Sequence, residues 1–287
     1  MKIVVTTPTG HVGSSVVRLL LQAGTTPTLF LRDPAKLAAE VRDRVDVVQG
    51  DQSDPEDVLR ATGGADALFW VDPPTGADDP IESSTRLGAN VARAVSENGI
   101  TRTVFQSSVG AEKRHGAGEI DGLARVEEQL DETGASVLHL RCGYFFTNLL
   151  LDPAALREGV LRTAMPVDAP VPWVDPRDIA DVVALRLLST DWSGRRVEAV
   201  HGPADITFTE AAAVLGAVLG RPFRAEHVAD ADLDAALRSA GLSEKQADAV
   251  VKMSSGLRDD FEPENPRTIL TTTPTTLGAW AWQHLRG

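Results

Sequence analysis

The residues best placed to do chemistry come first in the chain: Thr7 to Gly13 (TPTGHVG) directly follows Lys2 to Thr6 (KIVVT), a β-branched run with the character of a buried strand. Apolar residues from Val16 to Leu21 then fill a helical stretch that starts from Ser14 and closes at Gly24. A strand, a glycine-bearing turn and a helix present free N–H groups and a partial positive charge, which suits a pyrophosphate. Gly10 lets a phosphate approach the backbone, and Gly13 suits close packing of helix on strand. Thr7 stands where a first glycine is usual and must make the tight turn with a Cβ, helped by the fixed φ of Pro8. Thr9, His11 and Val12 complete the turn, His11 serving through its backbone N–H rather than its imidazole. The expected ligand is a dinucleotide; a turn that binds nothing is the competing reading.

A second group decides which dinucleotide. The strand Thr28–Leu31 ends in Arg32, Asp33, Pro34, Ala35 and Lys36. In a Rossmann unit an acidic residue at that strand end bonds the ribose 2′-OH, whereas an arginine accommodates a 2′-phosphate. Arg32, with Lys36, therefore favours NADP(H) over NAD(H).

The elements behind these groups alternate. Strands are expected at Val45–Val48, Ala67–Val71 and Thr103–Gln106. Helices are expected after Asp54 or Ser53 and from Ile81 through Leu87, Val91 and Val95. Crossovers of that length make the strands parallel, so the expected fold class is α/β, a doubly wound parallel sheet. Ligands of such sheets bind beyond the carboxyl ends of the strands, where Thr7, Arg32, Asp51, Asp72 and Ser107 all fall.

Composition narrows the classes. At 287 residues the chain can bury a large core, and no apolar run approaches the ~20 residues that span a bilayer. It begins in a strand with no signal-peptide pattern, and Cys142 is its only cysteine, so the expectation is a cytoplasmic protein without a disulfide. A formal net charge of −13 argues against a nucleic-acid surface. Neither a metal cluster nor a Ser-His-Asp triad shows in the spacing.

The stretches TPTGHVG, LRDPAK, GDQSDPEDV, QSSVGA, the helix DGLARVEEQL, the strand LHLRCGYFFTNLL (Leu138 to Leu150), VPWVDPRDIADVV, HGPADITFTEAA and PTTLGAW run along nearly the whole chain. In that order they resemble the NmrA-like branch of the atypical short-chain dehydrogenase/reductase superfamily. The resemblance implies an NAD(P)-binding Rossmann domain over residues 1–148. It also implies a smaller α/β substrate region over 149–287, some of whose segments return to the first domain. By the same resemblance Asp51 and Gln52 flank the adenine, and Val71, Asp72 and Pro73, with Ser107 and Ser108, lie near the nicotinamide.

The superfamily's Tyr-x-x-x-Lys pair, in which a lysine readies a tyrosine to protonate a carbonyl, is missing. The only tyrosine, Tyr144, is followed four residues later by Asn148, and Leu123 occupies the place where many relatives carry a lysine. The remaining proton donors are His115 first, Tyr144 second and Lys113 beside them. A solvated EKRH loop and an aromatic packed beside Phe145 and Phe146 are the respective alternatives. Asp178 is read as a cap or anchor and His201 as structural. Asp230 to Met253 is expected as amphipathic helix over a substrate site, and Trp280 and Trp282 fall on different faces of a last helix, for core packing or a homodimer contact. The function expected is an NADPH-dependent oxidoreductase acting on a small quinone, enone or ketone. A non-catalytic NADP(H)-binding redox sensor is the rival, and an isomerase or lyase that uses the nicotinamide transiently is a third reading.

Overall fold

Ile3–Thr6, four residues with no exposed surface, form a strand with neighbours on both sides, as a near-continuous apolar run in a parallel sheet must. The computed structural model describes residues 1–258 and 261–286. Its first half alternates: β1 (Ile3–Thr6), α1 (His11–Gln22), β2 (Thr28–Leu31), a short α2 (Ala39–Arg42), β3 (Asp46–Gln49), α3 (Pro55–Thr62), β4 (Ala67–Trp70), α4 (Pro80–Asn98), β5 (Arg102–Ser108), α5 (Glu119–Asp131) and β6 (Ser136–Cys142). The rest is less regular: β7 (Tyr144–Phe145), α6 (Pro153–Glu158), β8 (Val160–Thr163), β9 (Val171–Val174), α7 (Pro176–Leu188), β10 (Arg195–Val200), β11 (Asp205–Ile206), α8 (Phe208–Leu219), β12 (Arg224–His227), α9 (Asp230–Ser239), α10 (Glu244–Arg258) and α11 (Leu277–Leu285). Among the described residues no helix is long and apolar enough to cross a membrane.

The chain divides into two units. The first comprises Met1–Ser108, Gly122–Arg141 and Ile179–Glu198. It is built on a seven-stranded sheet in the order β3-β2-β1-β4-β5-β6-β10, with β1 parallel to both β2 and β4. This is the Rossmann-type α/β fold. Strand order reverses between β1 and β4, and at such a reversal the connections leave in opposite directions and open a crevice. Leu87, Val91, Ala94 and Val95 give α4 one apolar face, buried with Leu68, Trp70 and Phe105 of the sheet. Gly99, in the left-handed region at φ 64°, ends that helix.

Beneath the end of β5 lies a buried charge pair. Arg141 donates from Nε to Glu127 Oε1 at 3.0 Å and from Nη2 to Oε2 at 2.8 Å, and Ser107 Oγ donates to Oε1 at 2.7 Å. Burial pushes the Glu127 carboxyl up. The Arg141 hydrogen bonds, the charges of His139 and Arg141 and the Ser107 bond outweigh it and leave the carboxyl below its ordinary value.

The second unit comprises Val109–Asp121, Cys142–Asp178 and Ala199–Gly287. A three-stranded sheet, β11-β9-β7, and a parallel pair, β12-β8, surround a core of Phe146, Trp173, Phe208, Leu215 and Trp280. Two sequence expectations are corrected here. Leu138 to Leu150 is not one strand. It breaks at Gly143, where a Cβ would come within 1.9 Å of the Pro172 carbonyl oxygen, so β7 joins a different sheet and Phe146–Leu150 turns into a 3-10 helix. Asp230 to Met253 is two helices, because Gly241 takes φ 99° and Ser243 starts a new cap with Gln246. Asp178 acts as an anchor, accepting from Thr275 N at 2.9 Å and Oγ1 at 2.6 Å. Trp280 is buried and Trp282 exposed, as opposite faces require.

Replacing Arg141 with Met leaves Glu127 buried without its counter-charge and should cost about 3–5 kcal/mol in urea unfolding at neutral pH. Glu127 is depressed in the fold, so its contribution is present above its unfolded pKa and is lost as pH falls through the folded value. In the variant burial acts unopposed and raises the carboxyl, so the gap between wild type and variant should narrow as pH falls and Glu127 takes up a proton in both proteins. A neutral-pH loss under about 1 kcal/mol would refute this account of the pair.

Candidate functional site

The β1–α1 turn is shaped by one close approach. A Cβ on Gly13 would lie 2.2 Å from the Thr7 carbonyl oxygen, so only glycine lets the first turn of α1 rest on that peptide. Thr7 accepts the matching strain, with φ 46°, and its carbonyl receives Gly10 N at 3.0 Å. Gly10 occupies the cap position of α1 and no side chain caps the helix; its first turn carries no acidic residue. The N–H groups of His11, Val12 and Gly13 are those that a helix leaves without an intrahelical partner, and the dipole adds positive potential there. The imidazole of His11 is exposed.

The turn opens on a groove in the first unit. Thr7, Thr9 and Gly10 line it together with Arg32 and Lys36 after β2, Asp51 and Gln52 after β3, and Pro73, Pro74 and Thr75 after β4. Local hydrogen bonds fix several of these segments. Asp33 accepts from Ala35 N at 3.0 Å and so starts a 3-10 turn over Pro34–Lys36, leaving Arg32 and Lys36 exposed. Asp51 Oδ1 accepts from Ser53 N and Oγ, both at 2.8 Å, and Asp57 accepts from Asp51 N at 2.9 Å. That backbone bond, with Arg60 beside it, holds the Asp57 carboxyl below its ordinary value. Asp54 is the cap of α3, accepting from Glu56 N.

Three bonds tie the ends of β1, β3 and β4 together. Thr6 Oγ1 donates to the Phe69 carbonyl and accepts from Val71 N, both at 3.0 Å, while Gln52 Nε2 donates to the Val71 carbonyl at 3.0 Å. Asp72 follows at once. Its carboxyl bonds Ser84, yet Oδ1 is buried with no partner among the described residues. Burial raises this carboxyl to about 6, against the opposing pull of the Ser84 bond. Ser107 is buried with its hydroxyl donated to Glu127, and Ser108, the next residue, is half-buried.

The three proton-donor candidates belong to the second unit. Lys113 ends a 3-10 turn, donates from Nζ to the Gly256 carbonyl and sits 5.9 Å from the centre of the Phe261 ring. Gly118 and Gly256 fit this loop against α10, since a Cβ on either would meet backbone within 2.2 Å. The EKRH stretch is thus docked at Lys113, and His115 stands exposed beside it. Tyr144 packs edge-on to Trp173, with ring centres 4.7 Å apart, and to Phe208. Burial pushes its hydroxyl up to about 12 against the effect of a bond to Asn148.

Some of these features are illegible in a linear reading. Pro74, Thr75 and Leu87 line the groove without any motif to announce them. The bridging hydroxyl of Thr6 could have been sought, as a hydroxyl ending a buried apolar strand. The isolation of Asp72 had no sequence signal.

Groove and turn together fit a dinucleotide: a turn that only glycine at position 13 permits, an uncapped helix end for phosphates and two exposed cations, Arg32 and Lys36, in the lining. The NmrA-like family is matched over residues 1–262. The NAD(P)H azoreductase of Xenophilus azovorans is 30% identical over 272 residues, covering 94% of this chain and 91% of that protein. Quinone oxidoreductase 2 of Escherichia coli strain K12 is 26% identical over 288 residues, 99% of this chain and 98% of that one. The crystal structure of an E. coli NADPH-dependent quinone oxidoreductase complexed with NADPH superposes with a TM-score of 0.82 at 25% identity, covering 99% of each chain. The fold is also that of the Citrobacter triphenylmethane reductase, with a TM-score of 0.78 at 21% identity over 98% of this chain and 99% of the other. With the glycine turn, the reversed strand order and a family match that spans both units, this chain belongs to the NmrA-like family.

Proposed function

We propose that the protein is an NADPH-dependent oxidoreductase that reduces small organic acceptors of the quinone class. The observation that carries the reading is the uncapped amino terminus of α1, held over the Thr7 peptide by Gly13, in one groove with Arg32 and Lys36. Support comes from relatives named as an NAD(P)H azoreductase and a quinone oxidoreductase.

In this reading the backbone of His11, Val12 and Gly13 binds the pyrophosphate, with Thr7, Thr9 and Gly10 shaping its approach. Arg32 and Lys36 take a 2′-phosphate, which selects NADPH over NADH. Asp51 and Gln52 border the adenine, and Val71, Asp72 and Pro73, with Ser107 and Ser108, border the remainder. The bound nicotinamide supplies a hydride to the acceptor. For the proton, the exposed imidazole of His115 is the candidate, whereas Tyr144 holds its proton too tightly and Lys113 is committed to the Gly256 carbonyl. A quinone suits such a site, because its reduced form takes protons from water without a strongly poised acid.

The direct test is titration with NADPH, NADP and NADH by protein fluorescence, followed by quinones and enones with absorbance of the reduced cofactor as readout. Binding with consumption is expected; binding with no consumption by any acceptor would favour the sensor reading instead. Arg32→Asp should weaken NADPH at least about tenfold more than NADH, and an unchanged ratio removes the assignment of NADPH. His115→Ala should slow turnover roughly tenfold or more while leaving the cofactor Kd unmoved; a fully active variant would return protonation to solvent.

A further inference from the structure

The carboxylates around the cofactor groove are almost all spent on local structure. Asp33 holds the 3-10 turn, Asp51 holds Ser53, Asp54 and Asp79 cap α3 and α4, and Asp57 is shared between Asp51 N and Arg60. Asp72 differs. It directly precedes the groove wall that Pro73 begins, and it follows Val71, whose N–H and carbonyl are both pinned. One carboxyl oxygen is buried with no partner among the described residues. A carboxylate with one buried, unpartnered oxygen, one residue before the groove lining at Pro73, is electrostatically opposed to an anionic ligand in that groove.

We propose that Asp72 couples cofactor binding to protonation: a phosphate-bearing nucleotide in the adjoining groove draws a proton onto this carboxyl, so the cofactor binds more tightly as pH falls. The inference rests on reading the groove as the cofactor site. Its physical cause is that added negative charge raises the cost of the ionised carboxyl, and the coupling is reciprocal. Burial places the free carboxyl at about 6, within reach of ordinary conditions. A nearby anion moves that value higher. Between the two values the bound form holds a proton that the free form lacks, so affinity rises as pH falls through this window and levels off below it.

The elements around the groove carry further charges. His11 lies on α1; Arg32, Asp33 and Lys36 follow β2; Asp51, Asp54 and Asp57 lie between β3 and α3; Asp78 and Asp79 share the loop of Asp72; Glu82 and Arg86 lie on α4 with Ser84. The 2′-phosphate of NADPH itself titrates near 6, as phosphate monoesters do, so NADH is the cleaner probe.

The experiment compares wild type with Asp72→Asn, measuring Kd for NADH and NADPH by protein fluorescence between about pH 5.5 and about pH 8. For wild type, NADH should bind roughly fivefold more tightly near pH 5.5 than near pH 7.5, with the variant nearly flat. Near pH 7.5 the variant should bind several-fold more tightly than wild type, because its amide carries no charge. Titration calorimetry in two buffers of different ionisation enthalpy should detect proton uptake near pH 6.5 for wild type alone. Asp72→Ser serves as a second neutral replacement if the Asn variant does not fold. Parallel pH profiles in wild type and variant overturn the coupling while leaving the cofactor site intact. Absence of binding by either protein at every pH overturns the cofactor site, and the coupling with it.

Discussion

Everything the groove can do depends on the contact between Gly13 and the Thr7 carbonyl. With 2.2 Å between a hypothetical Cβ and that oxygen, the first turn of α1 reaches a position closed to every other residue. The helix therefore starts at His11, three residues before its apolar stretch would place it, and it starts without a side-chain cap. A capped helix would spend its orphan N–H groups on its own side chain; this one leaves them without a side-chain partner. The strain that the turn requires is carried by Thr7 at φ 46°, a conformation that costs a residue with a Cβ about 1 kcal/mol or more.

Around that contact the strand ends are bound into one frame by side chains rather than by sheet ladders. Thr6 spans β1 and β4, and Gln52 reaches from beyond β3 to the end of β4. Asn90 on α4 in turn donates to the Gln52 carbonyl at 2.9 Å. These bonds hold the groove walls independently of any ligand, which is the preorganisation that tight binding of a flexible dinucleotide needs. The buried pair of Glu127 and Arg141 plays the same part under β5, where it claims the Ser107 hydroxyl.

The second unit shows the opposite economy. Its strands are short, and its core rests on aromatic side chains: Tyr144, Phe146, Trp173, Phe208 and Trp280 in edge-on, tilted and stacked contacts. That packing explains why Tyr144 is a poor acid. The ring is committed to Trp173 and Phe208, and desolvation raises its hydroxyl well above the range in which a tyrosine gives up a proton at neutral pH. The docked Lys113 leaves His115 as the exposed titratable group of its loop.

The sequence by itself determined the alternation of strand and helix, the glycine turn and the cation at the end of β2. Each of these is written in short-range rules: side-chain periodicity, the steric freedom of glycine, and the chemistry of a strand end. It was misleading where a local pattern continued across a break. Leu138 to Leu150 reads as one apolar strand until Pro172, distant in the chain, closes on Gly143. Asp230 to Met253 keeps helical spacing through the turn at Gly241. What only the tertiary structure decided was the electrostatic state of the groups. Asp72 looks like any loop aspartate until Ser84 and its other neighbours bury it, and Ser107 looks available until Glu127, twenty residues on, takes its hydroxyl. Burial and partnership are sums over residues far apart in sequence, so no local window contains them.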